Sequence, residues 1–164
     1  MRTRWHNLRL LSTIDEAWDE IPSAAGIYIV RRSEPTQRIG GWDRYGTLYV
    51  GKARVLRNRL WSFLRANHTA SGFLWVHRAM ARLVLAKPIR TVRDVEKNLG
   101  KLTVRYAAPV SIRDLQRAER AALFAYISKF GEAPPLNLSL TKRWDATPSA
   151  QELRWAEDGV FGGG

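Results

Sequence analysis

Thr47-Leu48-Tyr49-Val50-Gly51-Lys52-Ala53-Arg54-Val55-Leu56-Arg57-Asn58-Arg59-Leu60 changes its period half-way. Thr47 to Gly51 is rich in β-branched and aromatic residues and reads as a strand. From Val55 onward, Leu56, Leu60, Phe63 and Leu64 recur at helical spacing, which predicts a helix over 55–66. A strand thus runs directly into an amphipathic helix. Upstream, Pro22-Ser23-Ala24-Ala25-Gly26 makes a turn, and Ile27-Tyr28-Ile29-Val30 is a second strand, the expected antiparallel neighbour. Residues 31–46 are polar and rich in turn formers, so they read as a long connection. Residues 12–20 predict a short helix capped by Ser12 or Thr13. Downstream, a helix is predicted over 72–85, stopped by Pro88. Leu102-Thr103-Val104-Arg105-Tyr106 alternates as a half-buried strand does. Ser111 then caps a third main helix that runs to Phe130. Its apolar face is Leu115, Ala122, Leu123, Tyr126, Ile127 and Phe130, and Gly131 closes it. Pro134-Pro135 block continuation, and Leu136-Asn137-Leu138 is extended. From about Thr141 the chain is polar and ends in three glycines, which predicts a loosely ordered tail. The expectation is one α+β domain over 1–140, with 31–46 as an insertion and 141–164 as the tail.

Composition narrows the chemistry. The chain has 164 residues, enough for one self-sufficient core. It has no cysteine, which excludes disulfides, thiolate zinc sites and a cysteine nucleophile. With three histidines, a His-rich metal centre is not expected. No apolar run reaches the ~20 residues of a membrane span, and no apolar segment of signal-peptide type follows the N-terminus. A cytoplasmic location without membrane contact is therefore expected. The net charge is +12, and it is not evenly spread: residues 52–105 hold 13 basic and 2 acidic side chains, net +11. A concentrated basic block suits a phosphate-binding face. Charge alone leaves nucleic acid, an acidic protein and an anionic membrane surface all open as partners.

Two residues break the apolar pattern. Glu119 falls on the stripe of the third helix, four after Leu115 and four before Leu123. Arg59 does the same on the first, three after Leu56 and four before Phe63. A buried carboxylate needs a partner. One misplaced acid and one misplaced guanidinium point to a shared polar site. Two strand tyrosines beside glycines, in Gly26-Ile27-Tyr28 and Tyr49-Val50-Gly51, stand near Lys52.

In this order, Gly26-Ile27-Tyr28, Tyr49-Val50-Gly51-Lys52-Ala53, Leu56-Arg57-Asn58-Arg59-Leu60, Glu119 and Asn137 resemble the GIY-YIG nuclease family over residues 21–138. The stretch Leu48–Leu60 is most similar to the nuclease module of bacterial excision-repair incision enzymes. The segment between the tyrosine motifs is longer than the compact family pattern, and Phe63 stands where some members carry histidine.

The resemblance implies a three-stranded antiparallel sheet flanked by helices, and hydrolysis of DNA phosphodiesters with one Mg²⁺ or Mn²⁺ ion. It implies Glu119 as the protein ligand of that metal and Arg59 as the holder of the scissile phosphate. It implies Tyr28 or Tyr49 as general base or relay, favoured by Lys52 and Arg59, and Asn137 as an orienting residue. Arg54, Arg57 and Arg65 on the first helix, with Arg78 and Arg82 on the next, are the expected backbone contacts to DNA. The insertion, with Arg31, Arg32, Arg38, Trp42 and Arg44, is expected to reach a groove or an unpaired base. A single site per chain implies a homodimer or two successive cuts if both strands are broken. The alternative is a non-catalytic DNA-binding module that keeps the fold.

Overall fold

The computed structural model describes residues 3–10, 13, 16, 18–64, 97, 100–137 and 147–162. The predicted helix over 72–85, four residues of that over 12–20, and Arg65, Arg78, Arg82 and Leu138 lie outside the described residues. The elements are strands β1 (Trp5–Leu10), β2 (Gly26–Arg32), β3 (Thr36–Arg38), β4 (Gly41–Asp43) and β5 (Thr47–Ala53). Helix α1 (Leu56–Leu64), strand β6 (Leu102–Ala107), helix α2 (Leu115–Phe130) and helix α3 (Ala150–Phe161) follow.

The fold class is α+β, as expected, but the antiparallel sheet has four strands rather than three, in the order β1-β6-β2-β5. The added strand is β1, which pairs Trp5 with Ala107 and His6 with Tyr106. β2 is central: Tyr28 lies opposite Gly51 on β5 and opposite Tyr106 on β6. The pleat then sorts side chains to two faces. Ile27, Ile29, Val50 and Ala107 join the buried faces of α2 and α3 in one apolar cluster. Tyr28, Val30, Val104 and Tyr106 join Leu56 and Leu60 of α1 in a second.

Within the predicted tail, the described residues 147–162 form an ordered helix with its caps. α3 begins with a full capping box, the Ser149 side chain accepting from the Glu152 amide while Glu152 accepts from the Ser149 amide. Its buried face carries Trp155, Ala156, Gly159 and Val160. Trp5 and Trp155 pack with ring centroids 4.9 Å apart. Trp5 Nε1 donates to the Trp155 carbonyl at 2.9 Å, and Trp155 Nε1 donates to the Thr3 carbonyl at 2.7 Å. Gly159 allows this docking, since a Cβ there would stand 2.1 Å from Trp5 Cε2.

Arg31, expected to reach toward DNA from the insertion, and Arg105, the last residue of the basic block, are both buried. Arg31 is 1% exposed and donates to the carbonyls of Gly159 and Val160, both at 2.7 Å. Arg105 donates to the Asp158 and Gly162 carbonyls. Both guanidiniums thus sit at the C-terminal end of α3, where unpaired carbonyls favour cations. Burial, and then the neighbouring Arg105, pull the Arg31 pKa down to about 10, which leaves it charged at neutral pH.

The insertion is also ordered. β3 and β4 form a hairpin that pairs Thr36 with Asp43 and Gln37 with Trp42. Its inner side is ionic. Asp43, fully buried, accepts from the Tyr45 amide (3.0 Å), the Thr47 amide (2.8 Å) and Tyr126 Oη (3.0 Å). Arg38 lies 3.9 Å from the same carboxylate and donates to the Thr47 carbonyl at 3.0 Å. Burial, and then Asp43, push the Tyr126 phenol well above its usual pKa, so it stays a donor.

Candidate functional site

The site forms where β5 ends and α1 begins. β5 is an edge strand of the sheet, so its end opens to solvent beside α2. A pocket of about 640 Å³ lies there, lined by Lys52, Arg54, Asn58 and Arg59 on one side and by Ile112, Leu115 and Gln116 on the other. Three cationic side chains, Lys52, Arg54 and Arg59, thus stand on one wall.

Arg59 does not face the protein, as its place on the stripe had implied; it is exposed. Leu56 and Leu60 define the buried line of α1, and Arg59 falls on its flank, turned to the pocket. Arg54 is exposed on the same wall. Arg57 is directed elsewhere. Its Nε donates to the Ile21 carbonyl at 2.7 Å, its Nη2 donates to the Asp19 carbonyl at 3.3 Å, and its guanidinium lies 5.3 Å from the Trp18 ring centroid. These contacts brace the 3₁₀ turn Trp18–Glu20 against α1.

Glu119 is buried on α2, as its position on the apolar stripe requires, at 8% exposure. Its direct partner is Lys52, with Nζ donating to Oε2 at 2.7 Å. Lys52 also lines the pocket, so the carboxylate stands behind it. The sequence pointed to Glu119 and Arg59 as one polar site; Lys52 is the link between them.

The two tyrosines meet over Gly51. Their ring centroids are 5.9 Å apart, and their hydroxyls are hydrogen-bonded. A Cβ on Gly51 would lie 2.5 Å from Tyr49 Cε1 and 2.7 Å from Tyr28 Oη. Only glycine leaves room for both rings. Gly51→Ala is therefore expected to cost about 1–3 kcal/mol of overpacking, lowering Tm by roughly 2–4 °C per kcal/mol at this chain length. Thermal melting checks it, and an unchanged Tm would show that the rings give way freely.

Tyr28 is fully buried and Tyr49 half-buried. Burial, chiefly, and then Tyr49 push the Tyr28 phenol well above 10, while Arg59 pulls in the opposite direction and Glu119 adds to the rise. Tyr28, Tyr49, Arg59 and Glu119 are thus within electrostatic reach of one another. At neutral pH Tyr28 is a hydrogen-bond donor.

Asn137 reaches this site through the backbone. Its Oδ1 accepts from the Val50 amide at 2.9 Å and its Nδ2 donates to the Val50 carbonyl at 2.7 Å. It holds the residue between Tyr49 and Gly51, and its amide is fully engaged in doing so.

Among the described residues no three His, Cys, Asp or Glu side chains gather as a metal cage. One carboxylate, Glu119, is what the site offers. That fits Mg²⁺, which binds through one or two carboxylates with water and phosphate completing its shell. Among the described residues no helix is long and apolar enough to cross a membrane. Comparison with models of known families, with curated proteins and with solved structures gives no match for this chain.

Proposed function

We propose that this chain is a divalent-metal-dependent DNA endonuclease of GIY-YIG type. The observation that carries the reading is the joining of a buried carboxylate, a lysine, an exposed arginine and a tyrosine pair at one end of an edge strand. The sequence resemblance names the same residues.

The roles are those the resemblance implies, and the geometry is compatible with them. Arg59 and Arg54 stand on the pocket wall and bind the DNA backbone, Arg59 taking the scissile phosphate in a planar fork. Lys52 adds a third positive charge and holds Glu119 in place. Glu119 would hold Mg²⁺ or Mn²⁺, which when bound supplies Lewis-acid stabilisation of the phosphoryl charge. Tyr28, kept protonated by burial, donates to its neighbours. Tyr49, half-buried and hydrogen-bonded to it, would act as the base in its phenolate form, which the neighbouring cations Lys52 and Arg59 favour, and would take the proton of the attacking water. Asn137 is a positioning residue that fixes the Tyr49–Gly51 backbone.

The second reading, a non-catalytic DNA-binding module, draws on the Lys52–Glu119 ion pair at 2.7 Å, which already satisfies the carboxylate. One experiment separates the two: incubation of the chain with supercoiled, linear, branched and single-stranded DNA, with Mg²⁺ and with EDTA. The nuclease reading expects new termini with Mg²⁺ and none with EDTA. Tight DNA binding without cleavage in either would leave only the binding module.

A further inference from the structure

Among the described residues, four large apolar side chains are exposed: Ile39 (81%), Trp42 (65%), Val55 (39%) and Ile112 (65%). Val55 and Ile112 line the cationic pocket. Ile39 and Trp42 lie on the β3–β4 hairpin, at the other end of β5. Five residues of strand separate Thr47, which the hairpin grips, from Lys52, a span of about 17 Å.

The hairpin has two unlike sides. Arg38 and Asp43 point inward to Tyr126 and the Thr47 backbone. The tip is fixed as well: the Gly40 amide donates to the Phe130 carbonyl at 2.8 Å, and the Ile39 amide to Glu132 Oε1 at 3.3 Å. Gln37 and Trp42 face each other across the ladder and both are exposed. Arg44, two residues beyond Trp42, is exposed too. This outer side thus presents an indole, an amide and a guanidinium, with no acid among them. An aromatic held rigidly before binding loses little freedom when it binds. An exposed indole, with an exposed guanidinium two residues along the chain, is complementary to a nucleobase and its phosphate. In continuous duplex the base faces are already stacked on one another, so only an unpaired base can cover the indole.

We propose that the β3–β4 hairpin is a stacking platform for an unpaired base, so that the substrate is DNA carrying a single-stranded segment beside a duplex. The proposal rests on the reading of the Lys52–Arg54–Arg59 pocket as a DNA phosphate site. The hairpin grips Thr47, at the opposite end of β5 from that pocket, so the stacked base and the bound phosphate belong to different nucleotides.

The test measures binding by fluorescence anisotropy without divalent metal, using a continuous duplex and the same duplex with a single-stranded flap. The wild-type chain is expected to prefer the flapped duplex by about tenfold, and Trp42→Ala to remove most of that preference without changing affinity for the continuous duplex. Trp42→Phe should keep it. Arg44→Ala should weaken both and lower the salt slope by about one. Photo-cross-linking of 5-iodouracil in the flap should mark Trp42. Retention of the preference in Trp42→Ala, or an equal loss on both DNAs, overturns the proposal. So does a dimer that dissociates on the same substitution without DNA, which would make the hairpin a contact between copies. A chain that reads the flap through Trp42 but never cuts refutes the nuclease reading alone; one that cuts without regard to Trp42 refutes the platform alone.

Discussion

Glu119→Ala is expected to lower cleavage by on the order of 10³-fold or more while leaving DNA affinity within about twofold. Glu119 is the carboxylate through which this site would hold a divalent metal, and it lies behind the cationic wall rather than on it. Removing it takes no donor from the DNA. It also frees Lys52, which gains positive charge at the pocket rather than losing it. The substitution is benign for the fold, because alanine is the best helix former and the stripe at 115–130 is otherwise apolar. Thermal melting at wild-type temperature would confirm that lost activity is not lost structure. Lys52→Met separates the ion pair from the carboxylate itself: if the pair mattered only for stability, Lys52→Met and Glu119→Ala would affect cleavage alike. A Glu119→Ala chain with more than a tenth of wild-type activity would sink the assignment.

The largest effect on stability is expected from Asp43→Ala. The Asp43 carboxylate accepts three hydrogen bonds and faces Arg38, and all of this is buried. Alanine leaves two amides and the Tyr126 hydroxyl without an acceptor and Arg38 without its counter-charge. Breaking a buried pair in this way costs about 3–5 kcal/mol, or a Tm lower by ~10 °C or more. The double variant Arg38→Met/Asp43→Ala should recover part of the loss, because the orphaned cation is removed with its partner. If the single variant melted within about 2 °C of wild type, the inner side of the hairpin would not be the anchor described here.

The same cluster explains what sequence could not reveal. The strands at 27–30, 47–51 and 102–106 carry apolar alternation, and the structure has them as β2, β5 and β6. The helices predicted over 55–66 and 111–130 appear as Leu56–Leu64 and Leu115–Phe130. The hairpin at 36–43 was invisible because its inward residues are Arg38 and Asp43. Hydrophobic periodicity cannot report a side that is buried through charge. β1 was missed although Asn7-Leu8-Arg9-Leu10 alternates, since four residues near an end carry little weight. α3 was missed because its buried face relies on Ala156 and Gly159, and the three closing glycines outweigh it in composition. The capping box at Ser149 and Glu152 was the signal that could have found it.

At the site, the misfit of Glu119 was legible because a carboxylate on an apolar stripe must be paired. Its partner was not, because Lys52 comes from a strand 67 residues away. The concentration of charge in 52–105 was legible too, but counting cannot separate Arg59, which is exposed, from Arg57 and Arg105, whose donors are taken by carbonyls. Asn137 was singled out by its place after two prolines, with nothing to show that the backbone of Val50 was its target.

That last contact governs how two copies of the chain can meet. The outer rim of β5 would otherwise offer free amides and carbonyls to a strand from another molecule. The Leu136 amide takes the Leu48 carbonyl at 3.0 Å, and Asn137 takes both groups of Val50. At the Leu48 carbonyl and at Val50, beside Tyr49, this rim is therefore already covered by the chain itself. A pairing of two subunits that extended the sheet through Val50 would have to displace Asn137, whereas one built from helices, loops or the far rim at β1 would not.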